Sequence, residues 1–154
     1  MVYTPDFTQS VFLEEVAETT ANASIGDLDG DGDPDIVLAK GRHWPLHDLV
    51  LLNSGTGGFD ERYPLDASAD RSYTTALADL DGDGDLDLVV GNMDGDANGV
   101  FRNDGGRFTD VAADWGLQWG GRAPREPTNG TVRPCVADVD GDGRLDIVSA
   151  NYGT

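Results

Sequence analysis

The chain lacks much of what several function classes need. Its single cysteine, Cys135, permits neither an internal disulfide nor a cysteine-based zinc site. Basic residues number 10 against 29 acidic ones, a formal net charge of −19, so the basic surface that nucleic-acid binding requires is missing. Apolar runs such as Leu49-Val-Leu-Leu52 fall far short of the ~18–20 residues of a membrane-spanning helix. The first residues, Met1-Val-Tyr-Thr-Pro-Asp-Phe-Thr8, carry no basic start and no apolar stretch, so no secretory signal is expected in this chain. Glutamate is scarce too, with 5 residues against 24 aspartates, and no segment repeats its apolar residues at helical spacing. Disorder is equally excluded, because 38% of the chain is hydrophobic and sits in compact, strand-like runs.

What is present is repetition. Three segments align without gaps: Ile25–Lys40, Leu77–Asn92 and Val136–Asn151. A second landmark keeps step with them, an Asn, a Gly-rich turn and a Phe, as Asn53-Ser-Gly-Thr-Gly-Gly-Phe59 and Asn103-Asp-Gly-Gly-Arg-Phe108. Each unit reads as four strands separated by turn chemistry. In the first unit these are 22–28, 35–39, 49–53 and 58–63; in the second, 73–80, 87–91, 99–103 and 107–112. The third unit stops after its second strand. Val11–Ala17 resembles Arg107–Ala113 and is expected to supply a last strand to the final unit. The fold class is therefore all-β, with about three blades' worth of four-stranded antiparallel up-and-down sheets. Residues 1–20 form the completing N-terminal segment, 21–66 the first blade and 67–117 the second, and 118–154 hold an insertion and half a third blade. Propellers usually have four to eight blades. Further blades are expected either from a longer chain or from other copies.

Fourteen of the aspartates lie in three loops of the form Asp-x-Asp-Gly-Asp-Gly-x-x-Asp. Side chains at positions 1, 3, 5 and 9 and the carbonyl at position 7 are candidate calcium ligands. They are Asp27, Asp29, Asp31, Asp35 and the Asp33 carbonyl in the first loop, and Asp79, Asp81, Asp83, Asp87 and the Asp85 carbonyl in the second. The third offers Asp138, Asp140, Asp142, Asp146 and the Arg144 carbonyl. Calcium takes six to eight oxygens in a flexible geometry, and a glycine at position 6 allows the loop its sharp turn. Without a cation, carboxylates ~4 Å apart would repel by several kcal/mol at an intermediate dielectric. An acidic solvated turn is the plainer reading, but three occurrences in register oppose it. An EF-hand needs a glutamate at position 12 and flanking helices, whereas Leu38, Val90 and Ser149 stand there. Magnesium, which prefers to keep its waters, suits an all-protein cage less well.

Together these loops, the Ile/Leu-Val strands after them and the Asn-x-Gly-x-Gly-x-Phe turn resemble FG-GAP/VCBS-type repeats, the calcium-binding blades also found in integrin α-subunit propellers. The resemblance implies about three structural calcium ions, a ligand-binding propeller platform and an extracellular, cell-surface or periplasmic setting. It implies the named aspartates as metal residues.

In an up-and-down meander the aspartate turns share one face, and the longest, least repetitive loops gather on the other. Scaffolded loops are where recognition usually resides. Arg42, His43 and Trp44 in one loop, and Trp119, Arg122 and Arg125 in another, are candidate contacts for a protein or carbohydrate ligand. The alternatives are loop packing beside Pro45 and a loop anchored by its own Trp. His43 and His47 also invite an enzymatic reading, such as a polysaccharide lyase, although neither has an identifiable carboxylate partner. A purely architectural repeat is the third possibility. Asn22-Ala-Ser24 and Asn129-Gly-Thr131 have glycosylation-acceptor spacing, a weak signal.

Overall fold

A computed structural model describes residues 11–117 and 130–152. Ten strands form among them and no helix. β1 (Thr20–Gly26), β2 (Asp35–Lys40), β3 (Leu49–Leu52) and β4 (Glu61–Pro64) make a four-stranded sheet in sequence order. β5 (Ser72–Ala78), β6 (Asp87–Asn92), β7 (Gly99–Asn103) and β8 (Phe108–Asp110) repeat it, and β9 (Gly130–Ala137) pairs with β10 (Asp146–Tyr152). Every pairing is antiparallel. These are three propeller-like blades, the last described by two strands, and they do not close into a ring.

Alternation within the strands decides which face is buried. Val37 of β2 pairs with Val50 of β3, and Val50 with Tyr63 of β4, so all three point at the second blade. Opposite them Leu88 pairs with Phe101, and with Val90 and Leu28 these residues form the larger apolar cluster. Residues one step along on the second blade, Val100 among them, face the third blade and meet Ile147. The β2 and β6 runs are apolar on both faces because each inner strand has a blade or a covering segment on either side.

Near the first strands the blades are joined by polar side chains. Ser24 bonds the Thr75 carbonyl at 3.2 Å, and Asn22 Oδ1 accepts from the Thr75 hydroxyl at 3.1 Å. Asn22 therefore faces a neighbouring blade, and its acceptor spacing reads as packing; Asn129 lies outside the described residues.

Several strand ends differ from the sequence expectation. β1 and β5 stop two residues early, because their next residues enter aspartate-bonded turns. β9 runs through Pro134, inside the expected insertion. It pairs with β10 alone among the described residues, and an edge strand tolerates the missing N–H of proline.

The largest correction concerns Val11–Ala17. This segment forms no strand and pairs with neither β9 nor β10. It lies instead against the first blade, held by side chains. Arg62 pairs with Glu15 at 3.0 Å, and its guanidinium reaches the Leu13 carbonyl. Lys40, the chain's one lysine, is buried and pairs with Glu14 and, at 2.7 Å, with Glu18. The glutamates go where the cations are, and so the segment takes the outer face of the first blade, where Leu38 and Leu51 are buried.

Candidate functional site

Each aspartate loop is built by its own carboxylates. In the first, Asp27 accepts from the Gly30 and Gly32 N–H groups at 2.9 and 3.1 Å, and Asp29 from Asp31 N–H at 3.1 Å. Asp31 accepts from Asp33 N–H at 2.8 Å, and Asp35 from Leu28 N–H at 2.7 Å. The second loop repeats all five bonds with Asp79, Asp81, Asp83 and Asp87. The third repeats them with Asp138, Asp140, Asp142 and Asp146. The glycines at position 6 have φ of 94°, 101° and 86°, and a Cβ there would meet nothing within 4 Å. The backbone angle, not crowding, requires glycine.

This scaffold gathers three carboxylates per loop. One oxygen each from Asp27, Asp29 and Asp35 lies within 4.8 Å of the others, as do those of Asp79, Asp81 and Asp87, and of Asp138, Asp140 and Asp146. Positions 1, 3 and 9 thus converge. Asp31, Asp83 and Asp142 stand outside these groups and act as turn acceptors. The donor chemistry is hard oxygen throughout, which fits calcium and not a thiophilic metal.

The three loops are not equivalent. Asp35 and Asp87 are fully buried, because Asn53 N–H and Asn103 N–H, from the ends of β3 and β7, bond their second oxygens at 2.7 and 2.9 Å. Burial raises the Asp87 carboxyl above its ordinary range against the pull of these N–H donors. Asp146 is exposed, since the described third sheet has no strand in that place. In the third loop Arg144 also bonds Asp142 at 2.7 Å, which lowers the Asp142 carboxyl. The Asp33 and Asp85 side chains instead approach the glycine turns: Gly105 N–H bonds Asp85 at 3.0 Å, and a Cβ on Gly55 would lie 2.6 Å from Asp33.

Asn103 is the residue that sequence reasoning treated only as a landmark. It is fully buried, and its Nδ2 donates to the Leu28 carbonyl of the first blade's loop at 2.7 Å and to Leu86 at 3.1 Å. Its Oδ1 accepts from Gly106 N–H at 2.9 Å. Gly106 itself lies against Asp29, where a Cβ would sit 3.0 Å from the Asp29 Cβ, and Tyr63 donates to its carbonyl. One blade's turn therefore buttresses the preceding blade's aspartate loop. Replacing Asn103 by alanine strands buried partners and should cost about 2–3 kcal/mol, read as a lower denaturant midpoint.

On the opposite face Arg42, His43, Trp44 and His47 are all exposed, Trp44 by 74%. Arg42 lies over the Tyr73 ring at 5.0 Å. Trp44 does not pack into its loop, and among the described residues neither histidine pairs with a carboxylate. Trp119, Arg122 and Arg125 lie outside the described residues.

Comparison with curated proteins and with solved structures returned no match. The profile of the FG-GAP-like repeat, by contrast, matches twice, over residues 27–90 and 79–149, each match running from one aspartate loop into the next unit. These matches span well over half of the sequence, and the chain belongs to the FG-GAP-like repeat family.

Proposed function

We propose that this chain is a calcium-stabilised, propeller-type binding module that presents a protein or carbohydrate site on the face opposite its aspartate loops. The observation that carries the reading is the same carboxylate triplet in all three loops, built by the same N–H bonds. Such a set is poised for a divalent cation. Asp27, Asp29 and Asp35, and their counterparts, would hold calcium, with further oxygens from position 5 and the position 7 carbonyl. The metal would offset two of the loop's negative charges and fix the hairpin it belongs to. Weak to moderate calcium sites suit a millimolar-calcium environment, which places the module outside the cell, in adhesion or surface recognition. The role of the opposite face rests on the exposed Trp44 and on Arg42, whose guanidinium lies over the Tyr73 ring, residue types enriched in recognition surfaces.

The test is a screen of immobilised glycans and proteins in calcium buffer with the full chain. A hit should weaken at least tenfold in Trp44→Ala or Arg42→Ala, with the melting temperature unchanged. A hit indifferent to both, and lost when Arg102 is replaced, which bonds Asp104 at 2.9 Å beside the second aspartate loop, would put recognition on the wrong face for this account.

A further inference from the structure

The turn that joins β7 to β8 touches two aspartate loops at once. Toward the loop of its own blade, Asn103 N–H bonds Asp87 at 2.9 Å and Asn103 Nδ2 bonds the Leu86 carbonyl at 3.1 Å. Gly105 N–H adds a bond to Asp85 at 3.0 Å. Toward the first blade the same Nδ2 donates to the Leu28 carbonyl at 2.7 Å. Gly106 packs so closely there that a Cβ on it would lie 3.0 Å from the Asp29 Cβ. Tyr63 of β4 donates to the Gly106 carbonyl and ties the turn to the first blade a second time. Two internal bonds keep the turn in shape, Gly106 N–H to Asn103 Oδ1 at 2.9 Å and Asp104 N–H to the Arg107 carbonyl at 3.0 Å.

These contacts fall on residues that set the carboxylates of both loops. The Leu28 carbonyl belongs to the peptide that carries Asp29, and Leu28 N–H bonds Asp35 at 2.7 Å. Asn103 therefore fixes the residue that joins two members of the first carboxylate triplet, while its own N–H fixes Asp87, a member of the second. An unbroken run of hydrogen bonds leads from Asp87 through Asn103 and Leu28 to Asp35. The first blade's turn offers an internal comparison. Asn53 N–H bonds Asp35 at 2.7 Å and its Nδ2 reaches the Pro34 carbonyl at 3.1 Å, both within one blade. Among the described residues the third sheet has two strands and places no such turn against the second loop.

From this we infer that the first two aspartate loops bind calcium as a coupled pair, with Asn103 as the positioning residue between them, and that the third loop binds independently. The inference rests on the reading of the loops as calcium sites and adds how two of them act together. The turn is the element that both loops bias. It is docked on both when their carboxylates are held, and it is released when repulsion splays either triplet. Ordering one loop orders the turn, so the loop filled second has less conformational freedom left to lose. The coupling is reciprocal, each site raising the affinity of the other by the same factor.

The experiment is a calcium titration of the full chain followed by proton–nitrogen NMR. Gly32, Gly84 and Gly143 N–H groups bond the first aspartate of their loops at 3.1, 3.1 and 2.9 Å, and each reports one loop. Asp81→Asn should raise the calcium midpoint at Gly32 about fivefold or more and leave that of Gly143 in place. Asp29→Asn should raise the Gly84 midpoint by the same factor. In an Asn103→Ala background Asp81→Asn should no longer move Gly32, whereas a residue that served stability alone would leave that effect intact. Tyr63→Phe keeps the ring and removes the other bond between the turn and the first blade. It should lower the coupling about twofold or more, and it serves where Asn103→Ala does not fold. Asn53→Ala should weaken the first loop and preserve the coupling. Three independent midpoints, a Gly32 shift that persists in full without Asn103 or the Tyr63 hydroxyl, or a Gly143 midpoint that moves in step with Gly32 would overturn the inference while calcium binding stands. Glycine signals that ignore calcium altogether would overturn the calcium reading and the coupling with it.

Discussion

Chelating calcium should lower the melting temperature by on the order of 20 °C, because three sites filled to about a hundred times their dissociation constants contribute roughly 2.7 kcal/mol each. The physical origin lies in the triplets of carboxylates within 4.8 Å, whose mutual repulsion opposes the loop once the cation leaves. A variant separates this role from the turn geometry. Asp81 uses only Oδ1 within its loop, accepting from Asp83 N–H at 3.2 Å, and an asparagine oxygen can keep that bond. Asp81→Asn should therefore melt higher than the parent in chelator, where repulsion is relieved, and lower in calcium, where a ligand charge is lost. Opposite signs in the two buffers are the signature. A drop of the same size in both would mean that Asp81 serves only the turn. The equivalent change at Asp140 should have a smaller effect, since Asp146 beside it is exposed and, among the described residues, has no counterpart of the Asn53 and Asn103 N–H groups that bond Asp35 and Asp87.

Asp48→Asn should stabilise the chain near and above neutral pH. Burial among Leu46, Leu65 and Phe101, reinforced by Asp66 and Asp70, raises the Asp48 carboxyl from the ordinary 3.8 to about 7, against the lowering by Lys40 N–H and Ser72. The folded chain therefore holds this proton more tightly than the unfolded chain. From about pH 4 to 7 the Asp48 contribution falls as pH rises; below that range both states are protonated and the penalty disappears, and above it the penalty is complete. The full difference corresponds to about 4 kcal/mol at most. Urea midpoints of parent and variant, measured in saturating calcium from pH 4 to 8, should diverge upward through this window. Parallel curves would show that Asp48 is ionised at no cost. Asn98 at the equivalent place in the second blade is the reason to expect that the amide fits.

Both effects were unequally visible in the linear sequence. The aspartate loops were legible because glycine spacing and alternating acids dictate a turn locally, and the strands on either side follow from the short apolar runs they separate. Strand ends drifted where a side chain, Asp35 or Asp87, captured a backbone N–H that a ladder would otherwise use. The Val11–Ala17 segment misled because its residues resemble Arg107–Ala113, while its position is set by Lys40 and Arg62, cations more than twenty residues away in sequence. The setting of Asp48 could not be read at all, because its kinship with Asn98 is hidden by loops of different length, which place them eight and six residues after the N–H they accept from. Asn103 was visible as a repeated letter but not as the bond between one blade's turn and the previous blade's loop.

The most direct measurement of the central claim is native mass spectrometry of the full chain from calcium acetate, followed by chelation and by magnesium. The account predicts three calcium ions per chain, removed together with the thermal stability they confer and not restored by equimolar magnesium. A chain that carries no discrete calcium, or that melts at the same temperature whether or not the ions are bound, would contradict it.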